Sequence, residues 1–561
     1  MGMNLFDYFD DVVRGDETEA LWAPRAPYRP HERFDLMLVP RVREWREDEA
    51  SRLALERIEH GPWIDAVTHE GEQVWLRLKS TWIEEAAAKL ERDADDETAN
   101  TDIADGQRFA LNFWDANSTK ALHVGHLRNL ALGNALGAAL TEAGGRVERR
   151  SIICDVGRSM GEAMAGVARS GRHLSSSPGN GQKSDHFVGY CYADYVKAGR
   201  SGVNELAQDH PADSLTREVD VHNDSADELL LRVLAGDQSA LELWSQTRAW
   251  VISGQRKTLA RLGIYFDSVF FESDFLPEVA ELTELGLEEG TLERRPDGAV
   301  FYETGREELE EMPLVRSDGV PTQHMRALAY WMAAPGLDGT TSIQVCGLEW
   351  VSHVTCRRQL MAELAHTEEG NGFHPYHDIF HGMVAKERQA VKSSKKDALL
   401  IDHLVEWIDE QVDGDAERAA VRAGHPAPEQ LAAEVALGYF LLHPATKRVN
   451  FEPERLLVEG KSLGWDMARA RARKNGSGAV ATTADGDLAE NADYRWAVVQ
   501  AEMVRRHLRL AARRLDPIPL ARFASHLSRW YLEEERQPEV ERVVQATLDR
   551  SARGLGLEGA G

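Results

Sequence analysis

Apolar residues change their spacing several times along the chain, and each change predicts a new element. Residues 42–58 repeat at helical spacing, residues 72–78 alternate as a half-buried strand does, and residues 81–96 return to the helical period. After a polar, poorly periodic start, this predicts a small α+β unit over residues 1–105. Its end is the acidic run 91–106, which reads as a solvated linker. At 107 the pattern shifts. Phe109, Leu111 and Phe113 fall on one face of a strand over 107–117, and a short loop (118–125) follows. Leu127, Leu130, Leu136 and Leu140 then recur near helical spacing until Gly144-Gly145 stops the run. A second strand is expected over 146–157. Strand, helix and strand within about 45 residues make a βαβ unit, the building block of a parallel sheet.

Further on, residues 175–185 (SSSPGNGQKSD) predict a flexible loop inside a helical insertion at about 165–262. Buried strands are expected at 264–272 and 341–350, a linker at 424–430, and helices alone beyond it, interrupted by the loose stretch 475–493. The expected domains are 1–105, 106–423 and 424–561, with no internal repeat.

Hydrophobic residues make up 43% of the 561 positions, enough for sizeable cores and too many for global disorder. Asp and Glu number 93 against 65 Lys and Arg, a net charge of −28, so a phosphate backbone must dock on a local basic patch. The four cysteines, Cys154, Cys191, Cys346 and Cys356, form no CxxC pair and fit a reducing cytosol. The first residues lack a basic, apolar leader, and no run of 18 apolar residues occurs. A cytoplasmic chain with no membrane partner is therefore expected.

The candidate chemistry begins at His123-Val-Gly-His126, at the strand-to-helix turn of the βαβ unit. A helix N-terminus favours anions, Gly125 lets a base or ribose approach the backbone, and two imidazoles three residues apart share one side of the turn. Such a pair can donate hydrogen bonds to a phosphate gaining charge, although alone it could equally be a cap or a surface pair. A second signal is the distribution of lysine. Only 13 of the 65 basic residues are lysines, yet Lys386, Lys392, Lys395 and Lys396 fall within eleven residues on a Ser-containing loop (386–397). Lysines there suit a point-charge clamp on phosphate oxygens. His374, His377 and His381 have spacing that could bind zinc, but packing or phosphate neighbours are the preferred reading and no metal site is assigned.

Together, DANSTKALHVGHLRN and the later VKSSKKD resemble the two signatures of class I aminoacyl-tRNA synthetases, most closely the arginyl subfamily. Ala116–Asn129 is similar to its ANPTGPLHVGHxRN string, residues 152–157 to YINDAG, residues 316–330 to KSDGTPTYxxRDxAY, and 382–384 with 391–397 to GMV…KMSSRKG. The helical tail resembles that family's anticodon-binding bundle. The implied fold is α/β: a Rossmann-type parallel sheet split by a helical insertion, with a small N-terminal α+β domain and a C-terminal all-α bundle. The resemblance implies adenylation of an amino acid by ATP with Mg²⁺ as co-substrate, then transfer to the 3′ end of tRNA, with no tightly bound cofactor and a monomeric chain. By the match, His123 and His126 would act on the phosphates, Gly125 would lie under the adenosine, and Lys392, Lys395 and Lys396 would hold the pyrophosphate end.

In the amino-acid pocket the chain departs from the pattern. Asn117 keeps the family's Asn for the substrate amino end. However, Asn112, Gln323 and Ala327 stand where the family has Glu, Tyr and Asp, and Val391 replaces the first loop lysine. A buried charge without its partner costs roughly 3–5 kcal/mol, so an amino acid other than arginine is expected. An unaligned acid, Glu349 or Asp115, could restore the charge. For tRNA, residues 491–561 carry a net charge of +2. Arg505, Arg506, Arg509 and Arg513 follow one helical flank, with Trp530 and Tyr531 as candidate base-stacking residues. Two alternatives remain: a stand-alone adenylate-forming ligase with a non-tRNA acceptor, and a catalytically silent paralogue.

Overall fold

The structure, a computed structural model, describes residues 22–40, 46, 48–92, 103–171, 182–201, 225–307, 309–337, 339–366, 376–386, 389–390, 399–473 and 488–558. The first unit holds strands β1 (Trp22–Arg25) and β2 (Leu36–Pro40), helix α1 (Glu49–Glu59), strands β3 (Ile64–Glu70) and β4 (Gln73–Leu78), and helix α2 (Ser80–Arg92). Its antiparallel sheet runs β1-β2-β4-β3. The alternation at 72–78 predicts β4 alone. The other strands are missed because they are short or, like β3, have no buried residue.

The central unit begins with β5 (Arg108–Asn112), α3 (Val124–Glu142) and β6 (Arg146–Ile153). Helices α4 (Arg158–Arg169), α5 (Ser184–Ser201), α6 (Ala226–Leu234) and α7 (Gln238–Arg261) form the expected insertion before β7 (Ser268–Phe271). Next come α8 (Leu276–Glu289) and the strands β8 (Glu293–Arg294), β9 (Val300–Arg306) and β10 (Leu309–Val315). Then follow α9 (Gln323–Ala333), β11 (Thr341–Gly347), α10 (Val351–Leu364), β12 (Tyr376–His381), β13 (Val384–Lys386) and β14 (Gln389–Ala390). Five strands pair in parallel in the order β12-β11-β5-β6-β7. From β5 the chain builds outward through β6 and β7 on one side, and later returns to place β11 and β12 on the other. The carboxyl ends of β5 and β11 therefore flank a topological switch point, where open α/β sheets bind ligands. The antiparallel sheet β10-β9-β8 is an addition that the apolar spacing does not predict.

Helices α11 (Ile401–Asp413), α12 (Ala416–Gly424) and α13 (Leu431–Leu441), the short strand β15 (Val449–Asn450), and helices α14 (Leu463–Ala472), α15 (Ala492–Arg514), α16 (Ile518–Glu533) and α17 (Pro538–Gly554) complete the chain. The expected linker 424–430 is partly structured: His425 is buried and makes a 2.9 Å contact with Glu434.

Helix α3 joins these parts. Its sequence is apolar and small on every side, and 14 of its 19 residues are buried, so it is a core helix rather than an amphipathic one. One side lies on the sheet, where a side chain at Gly133 would strike the Phe113 ring. The other side packs on α13, α15 and α17. The Asn134 amide spans the gap, donating to the Gly556 carbonyl (2.8 Å) and accepting from Arg149 (2.8 Å). The first unit is fastened to the bundle by a buried, two-toothed pair, Arg495 Nε to Asp35 Oδ1 (2.9 Å) and Nη2 to Oδ2 (2.6 Å). Arg495 also donates to the carbonyls of Leu78 and Ala489, so its guanidinium is well satisfied. Removing one partner strands the other. Arg495→Ala should lower unfolding stability by about 3–5 kcal/mol, read as a clear drop in the denaturation midpoint.

Candidate active site

The cavity at the switch point has a volume of about 310 Å³ and is lined by His123, Gly125, His126, Gln323, Ala327 and residues from the ends of β6, β11 and β12. His123 caps α3. The Gly125 N–H donates to His123 Nδ1 (3.0 Å), and the His123 N–H donates to His126 Nδ1 (3.1 Å), a reciprocal capping box. The rings stack with centroids 3.9 Å apart. Because each Nδ1 accepts a backbone proton, each neutral ring carries its own proton on Nε2. Burial holds the imidazoles in that neutral form: His123 is lowered to about 4, and His126 is pushed well down by burial and by its neighbour. The turn thus offers two uncharged Nε2–H donors at the amino end of a helix. A backbone bridge keeps it in place, with Val124 N–H donating to the Leu399 carbonyl (3.0 Å) and Ile401 N–H to the Leu122 carbonyl (3.1 Å).

The other expected residues are placed unevenly. Lys392, Lys395 and Lys396, with Val391, lie outside the described residues, as does His374. Gln323 and Ala327 line the cavity, on the first turns of α9. Asn112 does not. It is fully buried behind the wall, where its Oδ1 accepts from the Tyr330 hydroxyl (2.7 Å). Asn117 is also outside the lining set; it forms a bridge to Cys154, and its carbonyl accepts from Gln255 (3.1 Å). His381 lines the cavity and contacts Asn129 (3.2 Å), whereas His377 is exposed and the two gather into no metal cluster among the described residues.

Both acids suspected of restoring the charge, Asp115 and Glu349, do line the cavity. A third acid that the sequence did not single out, Glu272, is held by Arg326 (2.5 Å), the Arg of the 316–330 motif. His324 and His353 stack at 4.5 Å, and burial lowers His324 to about 4.

Outside the cavity, Asp185, His186 and Asp402 bring three ligand atoms within 4.8 Å of one another. The Lys183 ammonium already bridges both carboxylates (2.8 and 3.1 Å), so the cluster joins the insertion to α11 around a resident cation. Asp402 lies 216 residues beyond His186, so no local sequence pattern announces the cluster.

On the bundle, Arg505, Arg506 and Arg509 are half-buried and Arg513 is exposed along α15. Trp530 and Tyr531 are corrected. They are 3% and 0% exposed, with Trp530 packed on Trp496 (4.2 Å) and under Arg536, so they build the core and present no face to a base. Three further arginines of the bundle are engaged within it: Arg469 pairs with Glu459, Arg471 with Asp549, and Arg473 donates to the Tyr531 carbonyl. Among the described residues, no helix is long and apolar enough to cross a membrane.

No family model matches the chain. Among curated proteins it is similar to the arginine–tRNA ligase of Amoebophilus asiaticus (29% identical over 365 residues, 62% of this chain and 59% of that one). It is also similar to that of Treponema denticola (27% over 396 residues, 69% and 63%). The matched region thus spans less than two thirds of the length of these relatives. Among solved structures, the fold is similar to Thermus thermophilus arginyl-tRNA synthetase (TM-score 0.68, 19% identity, 98% of both chains). It is similar too to the Plasmodium falciparum enzyme of the same name (TM-score 0.65, 13% identity, 99% and 98%).

The neutral-donor geometry can be read directly. Imidazole ¹⁵N spectra at pH 7 should show both rings of the turn uncharged and protonated on Nε2. A cationic ring at either position contradicts the assignment. His123→Ala should in addition cost about 0.5–2 kcal/mol through the lost cap.

Proposed function

We propose, for a chain that belongs by sequence and by fold to the class I arginyl-tRNA synthetase family, that it activates an amino acid with ATP and passes the acyl group to the 3′ end of a tRNA. The observation that carries this is the pair of neutral Nε2–H donors at the amino end of α3, facing the switch-point cavity. In the first step a carboxylate oxygen attacks the α-phosphate and pyrophosphate leaves. In the second the acyl carbon passes to a ribose hydroxyl and AMP leaves. Neither step needs a covalent enzyme intermediate. Positioning and stabilisation of charge on phosphate oxygens do the work, and His123 and His126 are the residues suited to it. Gly125 leaves room for the nucleoside. Mg²⁺ arrives with ATP as part of the co-substrate, and Lys392, Lys395 and Lys396 complete the phosphate grip in this reading.

The amino acid is one other than arginine. Gln323 and Ala327 add no carboxylate of their own to the cavity wall, where the family pattern has Tyr and Asp, Asn112 is bonded away behind it, and Glu272 is paired with Arg326. The tRNA docks on the bundle through Arg505, Arg506, Arg509 and Arg513, without the two buried aromatics.

Pyrophosphate exchange run with each of the twenty amino acids, with and without tRNA, tests the reading. Exchange with one non-arginine amino acid, and acyl transfer only when tRNA is added, is expected. Strongest exchange with arginine overturns the specificity, transfer without tRNA points to the stand-alone ligase, and silence with all twenty removes the reaction itself. His126→Ala should reduce exchange by about 10²–10³-fold. Complex formation with tRNA should weaken steeply between 50 and 200 mM salt, by about tenfold or more if only two or three phosphates are neutralised; a flat response counts against phosphate contacts on the bundle.

A further inference from the structure

Three acids line the cavity, and they are not equivalent. Glu272 is closed off by its pair with Arg326. Glu349 is exposed, with its carboxylate folded back over Gly347. Asp115 differs from both. It is exposed like Glu349, but it follows β5 by three residues, opens onto the same cavity as the two imidazoles, and has no ion-pair partner among the described residues.

The surroundings of Asp115 are built to present it. Gln344, on β11, donates from Nε2 to Asp115 Oδ2 (3.2 Å). The amide cannot easily turn over, because its Oε1 accepts from Arg357 (2.6 Å) and from the Tyr376 hydroxyl (3.0 Å). Gln344 and Arg357 are both 7% exposed. The groups facing Asp115 are Gln344 and Cys346 from β11, Arg357 from α10, Glu272 after β7, Tyr330 from α9 and the Ile152 backbone from β6. Arg357 is the one cation among them, and it is engaged by Gln344 and Tyr376. A carboxylate that opens onto the cavity, oriented by an amide and left without an ion-pair partner, is an anchor for a cation supplied from outside.

Resting on the adenylation reading above, we propose that Asp115 binds a cationic nitrogen of the amino-acid substrate. It is thereby a substrate-anchoring residue of this chain, one position before the Ala116–Asn129 stretch that matches the family string. The chemistry is an ammonium or guanidinium N–H donating to a carboxylate, and the substrate can supply it from its α-amine or from its side chain. The many protein atoms packed around the carboxyl desolvate it and, opposed by the Gln344 hydrogen bond and Arg357, raise Asp115 to about 6 although its surface opens to the cavity. The anchor is therefore charged at neutral pH and is lost as pH falls through about 6.

Calorimetric titration of the full chain with arginine, lysine and a set of neutral amino acids tests this without requiring turnover. Asp115→Asn should weaken amino-acid binding on the order of 10- to 100-fold while ATP binding and the unfolding midpoint stay within error. A similar loss for every amino acid that binds assigns the α-amine. A loss confined to arginine and lysine assigns the side-chain cation. If Asp115→Asn fails to bind ATP, Asp115→Ser and the pH dependence of the unmodified chain serve instead, with affinity expected to fall below pH 6. Unchanged amino-acid affinity in a variant that still binds ATP, or a flat affinity between pH 5 and 7, overturns the proposal. Absence of binding by the unmodified chain to any amino acid sinks the adenylation reading itself, a different result from the one that sinks the anchor.

Discussion

The site depends on a helix that has no solvent side. Helix α3 is enclosed by a parallel sheet on one flank and by three helices of the bundle on the other, and its small residues allow that approach. Close-packed interiors fix side chains to within tenths of an ångström. The first turn of such a helix is held from behind, and His123 and His126 inherit that rigidity. Arg128, fully buried one turn further on, donates to the Pro444 and Ala445 carbonyls (2.7 Å each), so the first turns of α3 and the bundle share hydrogen bonds as well as packing.

Electrostatics take an unusual course for a protein whose proposed substrates are polyanions. The chain is strongly acidic, and the arginines nearest the cavity are already matched, Arg326 by Glu272 and Arg357 by Gln344 and Tyr376. What faces the cavity at the α3 turn is uncharged: two imidazoles stripped of their extra proton by burial, at the positive end of a helix. Neutral donors need no resident counter-ion. They gain most when charge develops in front of them, as charge does when a phosphate is attacked.

The βαβ core was legible because its period changes from two to 3.6 and back, with Gly144-Gly145 marking the turn. The α/β class and the helical tail agree with the structure for the same reason: long, strongly patterned segments carry their own signal. Two other kinds of feature were not legible. Strand β8 has only two residues and β9 and β10 are mixed with charges, and only the Asp297-Gly298 turn hints at a hairpin. The second kind is a matter of which way a residue faces. Trp530 and Tyr531 sit among arginines in a helix that could show either side to solvent, and the bundle core claims them. Asn112 sits at the end of a strand and is turned behind the cavity by the Tyr330 hydroxyl. Asp115 and Gln344, 229 residues apart, meet only through the order of the strands.

The Asp35–Arg495 pair carries a consequence in time. Its two halves are 460 residues apart. At translation speeds of about 5–20 residues per second, the carboxylate leaves the ribosome on the order of half a minute to a minute and a half before its guanidinium exists. Through that interval the opening sheet has no bundle to close against. Its final docking waits until the helix that carries Arg495 has been made.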